Sequence, residues 1–262
     1  MPAAAHMASA HRRILIAGSV GNFIEWYEFA VYGFMASIIA RHFFQLPDEN
    51  ADTSVILTWA AFAVAFFFRP LGAIIFGRLG DRHGRKPVLI GVLVMMTLVT
   101  TAIGLVPDYA AIGIAAPLLL TLLRILQGLF AGGEYGGAVS LMTEAAPPGK
   151  RGLYGAWQSL TVACGLLAGA ATVALLPLLI GEDAMFDWGW RLPFLLALPL
   201  GAVALWLRTG LDESPQFSAV RQQAEPERAS FIATLRAITL AISRLMVWCR
   251  WLHLSGDHAN LS

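Results

Sequence analysis

The sequence predicts an all-α membrane protein of six transmembrane helices, with both its N-terminus and its C-terminus on the cytoplasmic side. Two observations predict this class. Hydrophobic residues make up 57% of the 262 residues and charged residues only 13%, whereas a soluble protein carries about 25% charged residues. The apolar residues also occur in repeated blocks long enough to cross a hydrocarbon core, which takes about 20 helical residues.

Six such blocks follow one another along the chain. Backbone polar groups inside a bilayer must be hydrogen-bonded within their own segment, so each block is expected to be a helix. The bundle is predicted over residues 14–209, after a cytoplasmic tail of residues 1–13. The six predicted helices are residues 15–40, 54–76, 88–106, 111–142, 153–180 and 188–207.

The distribution of lysine and arginine predicts the orientation. With the N-terminus inside, the cytoplasmic side holds twelve Lys and Arg residues, Arg208 among them, while the opposite side holds Arg41 and Arg191. Cytoplasmic loops carry the excess of positive charge in membrane proteins, so the chain is predicted to be N-in and C-in.

The composition changes after the sixth helix. Residues 210–230 are polar and predict a cytoplasmic linker. Residues 231–262 leave two interpretations open. In the first, they form a helix lying in the membrane interface, anchored by Trp248 and Trp251. In the second, they are an aberrant, truncated end without selected structure.

Five ionisable residues lie inside the predicted helices, where charges are costly and normally face a partner or a cavity. They are Glu25, Glu28, Arg69, Arg124 and Glu134. The helical rise places Glu25, Arg69 and Glu134 at similar depth, where they are expected to form one charge cluster, and Glu28 and Arg124 nearer the midplane.

Two interpretations of these charges remain open. In the first, the charged residues form ion pairs that only fix helix packing. In the second, the acids carry a proton and Arg124 binds a substrate carboxylate with two hydrogen bonds. Three acids against two bases leave one surplus acid, which suits a proton carrier. The proton-coupling candidates are Glu25, Glu28 and Glu134, and the substrate-binding candidates are Arg124, Arg69 and Tyr32.

Glycines recur at intervals of four residues on two helices. Gly128, Gly132 and Gly136 lie on the fourth helix, and Gly165 and Gly169 on the fifth. Small residues at this interval predict close helix packing.

Several other function classes find no support in the sequence. It contains no Walker loop, nucleophile elbow or His/Cys metal spacing, so no enzyme activity, cofactor or metal is expected. No clustered basic face suggests nucleic acid, and no filter-like loop suggests a channel.

A basic, glycine-punctuated stretch between the second and third helices, residues 77–86, predicts a tight cytoplasmic turn. Together with six other stretches, it resembles the metabolite:proton symporters of the major facilitator superfamily, which include proline/betaine, α-ketoglutarate, citrate and shikimate transporters. The other matching stretches are residues 21–29, 69–72, 124–128, 132–137, 188–194 and 212–217.

The resemblance implies a twelve-helix symporter that works by alternating access, with the substrate between two six-helix halves. This chain corresponds to the N-terminal half, a 3+3 inverted repeat. The implied activity is symport of a proton and a small organic acid or zwitterionic metabolite across the bacterial inner membrane. A missing C-terminal half is then an expected partner. The alternative is a truncated membrane protein that has no transport activity of its own.

The resemblance also implies a gate at the cytoplasmic turn. Asp81 would pack against a helix of the second half, and Arg85 would pair with Glu144 at the end of the fourth helix. Arg151 would join that network. The implied gating residues are Gly77, Asp81, Arg82, Gly84, Arg85, Glu144 and Arg151.

Overall fold

The computed structural model describes residues 2–44, 51–144, 146 and 149–209. All regular structure in these residues is helical, which confirms the predicted class. The expectations for residues 210–230 and 231–262 lie outside the described residues. The helices are α1 (Pro2–Phe34), α2 (Ala36–Phe43), α3 (Ala51–His83), α4 (Arg85–Leu105), α5 (Tyr109–Ile112), α6 (Ala115–Glu144), α7 (Arg151–Ile180), α8 (Glu182–Asp187), a 3₁₀ turn (Gly189–Arg191), α9 (Leu192–Leu195) and α10 (Ala197–Thr209).

These elements provide the six predicted spans. Five are long and apolar enough to cross a membrane, and the pair formed by α1 and α2 makes a sixth if it is taken as one bent span. The first span differs from the prediction in two ways. Its helix is already present at Pro2, and the chain bends by 67° between Phe34 and Ala36. The bend directs Ile39 and Phe43 into the apolar core around Tyr32.

The cytoplasmic turn is shorter than the sequence predicted. Helix α3 continues to His83, so Gly77, Asp81 and Arg82 are helical and not in a loop. Gly84 alone separates α3 from α4, with φ of 101° and ψ of 146°. Glycine adopts this positive φ without the steric strain of a side chain. The predicted end was too early because hydropathy marks the edge of the hydrocarbon layer, whereas the hydrogen-bonded helix continues beyond it.

Helix packing follows the symmetry expected of an inverted repeat. Helix α1 packs against α7 and α3 packs against α6, while α10 contacts both α1 and α4. If α1, α3 and α4 are matched with α6, α7 and α10, the contact of α1 with α7 becomes that of α6 with α3. The two three-helix units are therefore related in the manner of the 3+3 repeat.

Glycines allow these helix pairs to approach closely. A Cβ at Gly128 or Gly132 of α6 would overlap the backbone of α3, and a Cβ at Gly165 or Gly169 would overlap α1. The predicted packing role is confirmed at these four positions. A Cβ at Gly136 would meet no atom within 4 Å, so Gly136 does not share it.

Candidate functional site: the buried charges of the bundle

The ionisable residues predicted from the sequence all lie in the bundle, and four of them are fully buried. Glu25, Glu28, Arg124 and Glu134 are at most 1% exposed, and the Arg69 side chain is 17% exposed. Burial of this extent requires partners, because an isolated charge is strongly disfavoured away from water. These charges form three separate groups.

The first group joins α1 to α3. Arg69 Nη2 donates a hydrogen bond to Glu25 Oε1, as expected from their similar depth. The Arg69 guanidinium also lies over the rings of Phe29, at 4.3 Å, and Phe66, at 4.9 Å. A cation over aromatic faces is stabilised by their electrostatic quadrupole.

The second group corrects the expected cluster. Glu134 pairs with Arg208 of α10, a residue predicted to be one of the cytoplasmic charges. Arg208 Nη1 donates to Glu134 Oε2 at 2.8 Å, and Nη2 donates to Oε1. Arg208 is only 4% exposed. Its pairing raises the bases of this site to three, so the inferred surplus of one acid was wrong.

A glycine makes room for this ion pair. A Cβ on Gly21 of α1 would collide with the Glu134 carboxylate and the Arg208 guanidinium. Arg208 Nη1 also donates to the carbonyl of Leu89, at 3.0 Å. The pair therefore joins α4, α6 and α10 and packs against α1 at Gly21.

The third group lies deeper and is linked through an amide. Gln127 Nε2 donates to Glu28 Oε2 and to Thr100 Oγ1, both at 2.8 Å, while Arg124 Nη1 donates to Gln127 Oε1. Gln127 thus stands between the acid and the base. Gln127 and Thr100 were not predicted, because neutral polar side chains in an apolar helix give a weaker signal than charges do.

Several atoms of this third group have no partner among the described residues. They are Glu28 Oε1 and Arg124 Nε and Nη2, all buried. The Nε and Nη2 atoms lie along one edge of the guanidinium, the edge that offers a carboxylate two parallel hydrogen bonds. Buried polar atoms without partners are rare and require an explanation such as a ligand or a proton.

Aromatic rings enclose Arg124. Its guanidinium lies 3.9 Å from the centre of the Tyr32 ring and 4.9 Å from that of Phe62. The Tyr32 hydroxyl donates to the carbonyl of Thr58 at 3.2 Å, so its ring, not its hydroxyl, faces the arginine. Tyr32 therefore forms part of the wall around Arg124.

The residues of the implied gate lie at the ends of α3 and α6 and at the starts of α4 and α7. Asp81 and Gly77 border a pocket of about 240 Å³ whose other walls include Gly133 and Gly136. Asp81 and Arg82 are exposed. The side chains of Arg85, Glu144 and Arg151 lie outside those the structure describes, so their pairing stays a prediction.

Two further polar groups lie away from these charges. Asn22 Nδ2 donates to Thr161 Oγ1 at 2.6 Å, and Gln158 Nε2 donates to Asn22 Oδ1 at 3.4 Å, which links α1 to α7. At the opposite end of the bundle, Arg191 Nη2 donates to Asp108 Oδ1 at 2.5 Å. Arg191 Nη1 donates to the carbonyl of Val106 at 2.6 Å.

His42 completes the polar group formed by Asp108 and Arg191. Its Nδ1 lies 3.1 Å from Asp108 Oδ2, and its Nε2 lies 2.7 Å from the Phe186 carbonyl oxygen. Both partner atoms are hydrogen-bond acceptors, so His42 bridges α2 to Asp108 and to Phe186 of α8. We call His42, Asp108 and Arg191 the clasp, which links the ends of α2, α4 and α8 and the turn before α9.

Comparison with known proteins identifies the family. The family described as "Sugar (and other) transporter" matches residues 14–247. The chain belongs to this family of the major facilitator superfamily. The resemblance seen in the sequence is thereby confirmed. Proteins of this family are membrane transporters and not enzymes.

Relatives in this family include the proline/betaine transporter of Salmonella typhimurium, 44% identical over 206 residues that make up 79% of this chain and 41% of that protein. The glycine betaine/proline/ectoine/pipecolic acid transporter OusA of Dickeya dadantii is 44% identical over 214 residues, covering 82% of this chain and 42% of OusA. The chain thus spans less than half the length of these relatives.

Solved structures of the superfamily share the fold. The proton:xylose symporter XylE superimposes with a TM-score of 0.73 at 17% identity, over 82% of this chain and 47% of that chain. The inward-open xylose transporter XylE from E. coli superimposes with a TM-score of 0.68 at 18% identity, over 89% of this chain and 56% of that chain. This likeness confirms the six-helix half of a major facilitator fold.

Proposed function

We propose that this chain forms the N-terminal half of a secondary transporter that carries a small zwitterionic or carboxylate metabolite together with a proton across the bacterial inner membrane. The relatives support the substrate class, because two of them are named for proline and betaine. Both compounds combine a carboxylate with a cationic nitrogen. The second six-helix half supplies the other wall of the pathway.

The observation that carries this proposal is the third charge group. Glu28 Oε2 is hydrogen-bonded while Oε1 is unpartnered, and Arg124 has an unpartnered edge. A proton on Glu28 would neutralise the acid and leave Arg124 as an unbalanced cation. A substrate carboxylate on that edge would restore neutrality, so the proton and the substrate favour one another's binding.

Access to Arg124 requires movement of its wall. The guanidinium is fully buried, with Tyr32 and Phe62 against it. We assign the substrate path to the side of α3, where Phe66 and Phe67 are exposed. Displacement of Phe62 would open that side and expose an aromatic surface suited to a cationic nitrogen.

The other two groups serve different roles in this proposal. Arg69, which is partly exposed, is a second contact for the substrate, and Glu25 is its counter-ion. Each oxygen of Glu134 accepts a hydrogen bond from Arg208. We therefore assign Glu134 to packing in preference to proton coupling.

The gate completes the proposal. The pocket beside Asp81 is lined largely by glycine and apolar residues. Such a surface can receive the end of a helix from the second half, with Asp81 at the positive N-terminal end of that helix. Arg82, Gly84, Arg85, Glu144 and Arg151 would support this closed arrangement.

Uptake of labelled proline and glycine betaine by proteoliposomes tests the function. The assembled transporter is reconstituted, a proton gradient is imposed, and accumulation is measured with and without a protonophore. Wild-type accumulation should collapse with the protonophore, and Glu28→Gln should accumulate substrate at the same low level in both conditions. Wild-type accumulation that is indifferent to the protonophore would show that symport is wrong.

A further inference from the structure

Gln127 is held at both ends of its amide by groups of fixed hydrogen-bonding character. Arg124 can only donate, so it faces the amide oxygen, and the Glu28 carboxylate accepts from the amide nitrogen. Turning the amide over would set donor against donor and acceptor against acceptor. Gln127 is 1% exposed, so water offers no substitute partner.

The amide dipole is aligned with both charges. Its positive end faces the carboxylate of Glu28, and its negative end faces the guanidinium of Arg124. Such an arrangement stabilises a separated acid and base in a medium of low dielectric constant. When Glu28 is neutralised by a proton, one of the two charges that orient the dipole disappears.

Thr100 gives the amide a partner that does not titrate. Its hydroxyl oxygen accepts from Gln127 Nε2 at 2.8 Å and belongs to α4, whereas Glu28 belongs to α1. The amide nitrogen therefore keeps a hydrogen bond to α4 when its interaction with Glu28 weakens. Gln127 can respond to the protonation of Glu28 without losing its place in the bundle.

We propose that Gln127 is a positioning residue that transmits the protonation state of Glu28 to Arg124, with Thr100 holding its amide in register. The inference rests on the proposed proton-coupled function and deepens it. With Glu28 charged, the aligned amide lets the carboxylate balance the charge of Arg124, so a substrate carboxylate gains little on its free edge. With Glu28 neutral, that balance is lost and Arg124 binds a substrate carboxylate more tightly.

The chain offers a matched control. Gln158 is also a buried helical glutamine, 7% exposed, and it bonds to the neutral Asn22. Gln127→Leu and Gln158→Leu each remove one buried amide of the same size. Only the first removes the link between an acid and a base.

The test compares two modes of transport by the assembled transporter in proteoliposomes. Substrate exchange, with labelled proline entering against unlabelled proline, needs no net proton movement, whereas accumulation on a proton gradient does. For Gln127→Leu we expect exchange to persist while accumulation falls by about tenfold, the size of an ordinary coupling free energy. The KM for exchange should also depend less on pH than in the wild type, and Gln158→Leu should keep the wild-type pH profile.

Two results would overturn the proposal. One is a Gln127→Leu variant whose accumulation and pH profile match the wild type. The other is a Gln158→Leu variant with the same loss. If Gln127→Leu does not reach the membrane, Thr100→Val is the second variant, with a flattened pH profile as the expected result and an unchanged profile as the contrary one. Failure of the symport itself is distinct, because the wild type would then ignore the protonophore.

Discussion

At the scale of single residues, the arrangement of buried charge depends on small neighbours. Arg208 reaches Glu134 because Gly21 presents no side chain between them. The sequence located Glu134 correctly as a membrane-embedded acid. It could not supply the partner, because pairing between residues 74 positions apart is decided by how α6 and α10 pack.

The first prediction concerns Gly21. Gly21→Ala places a methyl group against the ion pair, and because breaking a buried pair costs about 3–5 kcal/mol, we expect a clear loss of thermal stability in detergent. Gly91→Ala on α4 is the control, since its Cβ meets no atom within 4 Å. Equal melting temperatures of the two variants would contradict this assignment.

The ion pair itself makes a second prediction. Glu134→Gln and Arg208→Gln each leave one buried charge without its partner, so each should destabilise the protein strongly. The double variant removes both charges and should be more stable than the sum of the single losses predicts, with a coupling of about 1–3 kcal/mol. Strictly additive losses in thermal unfolding would show that the pair contributes nothing.

At the scale of elements, the sequence predicted the existence of the spans better than their ends. Helix α3 was expected over residues 54–76 and runs from Ala51 to His83. Apolar composition reports where the chain leaves the hydrocarbon layer, whereas a helix ends where its hydrogen bonding ends. The bend after α1 had no proline to mark it, so composition gave no sign of it.

The third prediction separates two glycines that look equivalent in the sequence. Gly132→Ala would drive a methyl group into the carbonyl of Arg69 on α3, while Gly136→Ala enters open space. Overpacking typically costs about 1–3 kcal/mol, so Gly132→Ala should melt at a lower temperature than the wild type. Gly136→Ala should melt close to the wild type, and a loss as large as that of Gly132→Ala would contradict the packing.

The clasp provides a fourth prediction. His42→Ala removes the contacts of both ring nitrogens, which join α2 to Asp108 and to α8. A hydrogen bond to a charged group such as Asp108 contributes about 1.5–3 kcal/mol, so the variant should unfold at a lower temperature than the wild type. Arg41→Ala, which removes an exposed side chain lying 5.5 Å from the Phe186 ring, should have a much smaller effect. Equal effects would argue against the clasp.

At the scale of the whole molecule, the sequence predicted the class, the six spans and the family. Repeated apolar blocks and family stretches such as residues 21–29 and 132–137 are local signals. The network of Glu28, Gln127 and Arg124 was only half visible, because it depends on two neutral polar side chains, Gln127 and Thr100, from different helices. Which acid carries a proton therefore cannot be decided by counting charges along the chain.

The orientation of the bundle makes a fifth prediction. In a variant without Cys164 and Cys249, single cysteines are introduced by Arg82→Cys and by Asp183→Cys, both at exposed positions at opposite ends of the bundle. A membrane-impermeant maleimide should label Asp183→Cys in intact cells and Arg82→Cys only after the membrane is opened. The reverse pattern would contradict the N-in, C-in orientation.

Proton movement on addition of substrate tests the central claim most directly. The assembled transporter is placed in de-energised membrane vesicles in a lightly buffered medium, and the external pH is recorded as glycine betaine or proline is added. Symport predicts that the medium becomes alkaline in the wild type and stays constant with Glu28→Gln. Substrate entry without any change of external pH in the wild type would contradict the account.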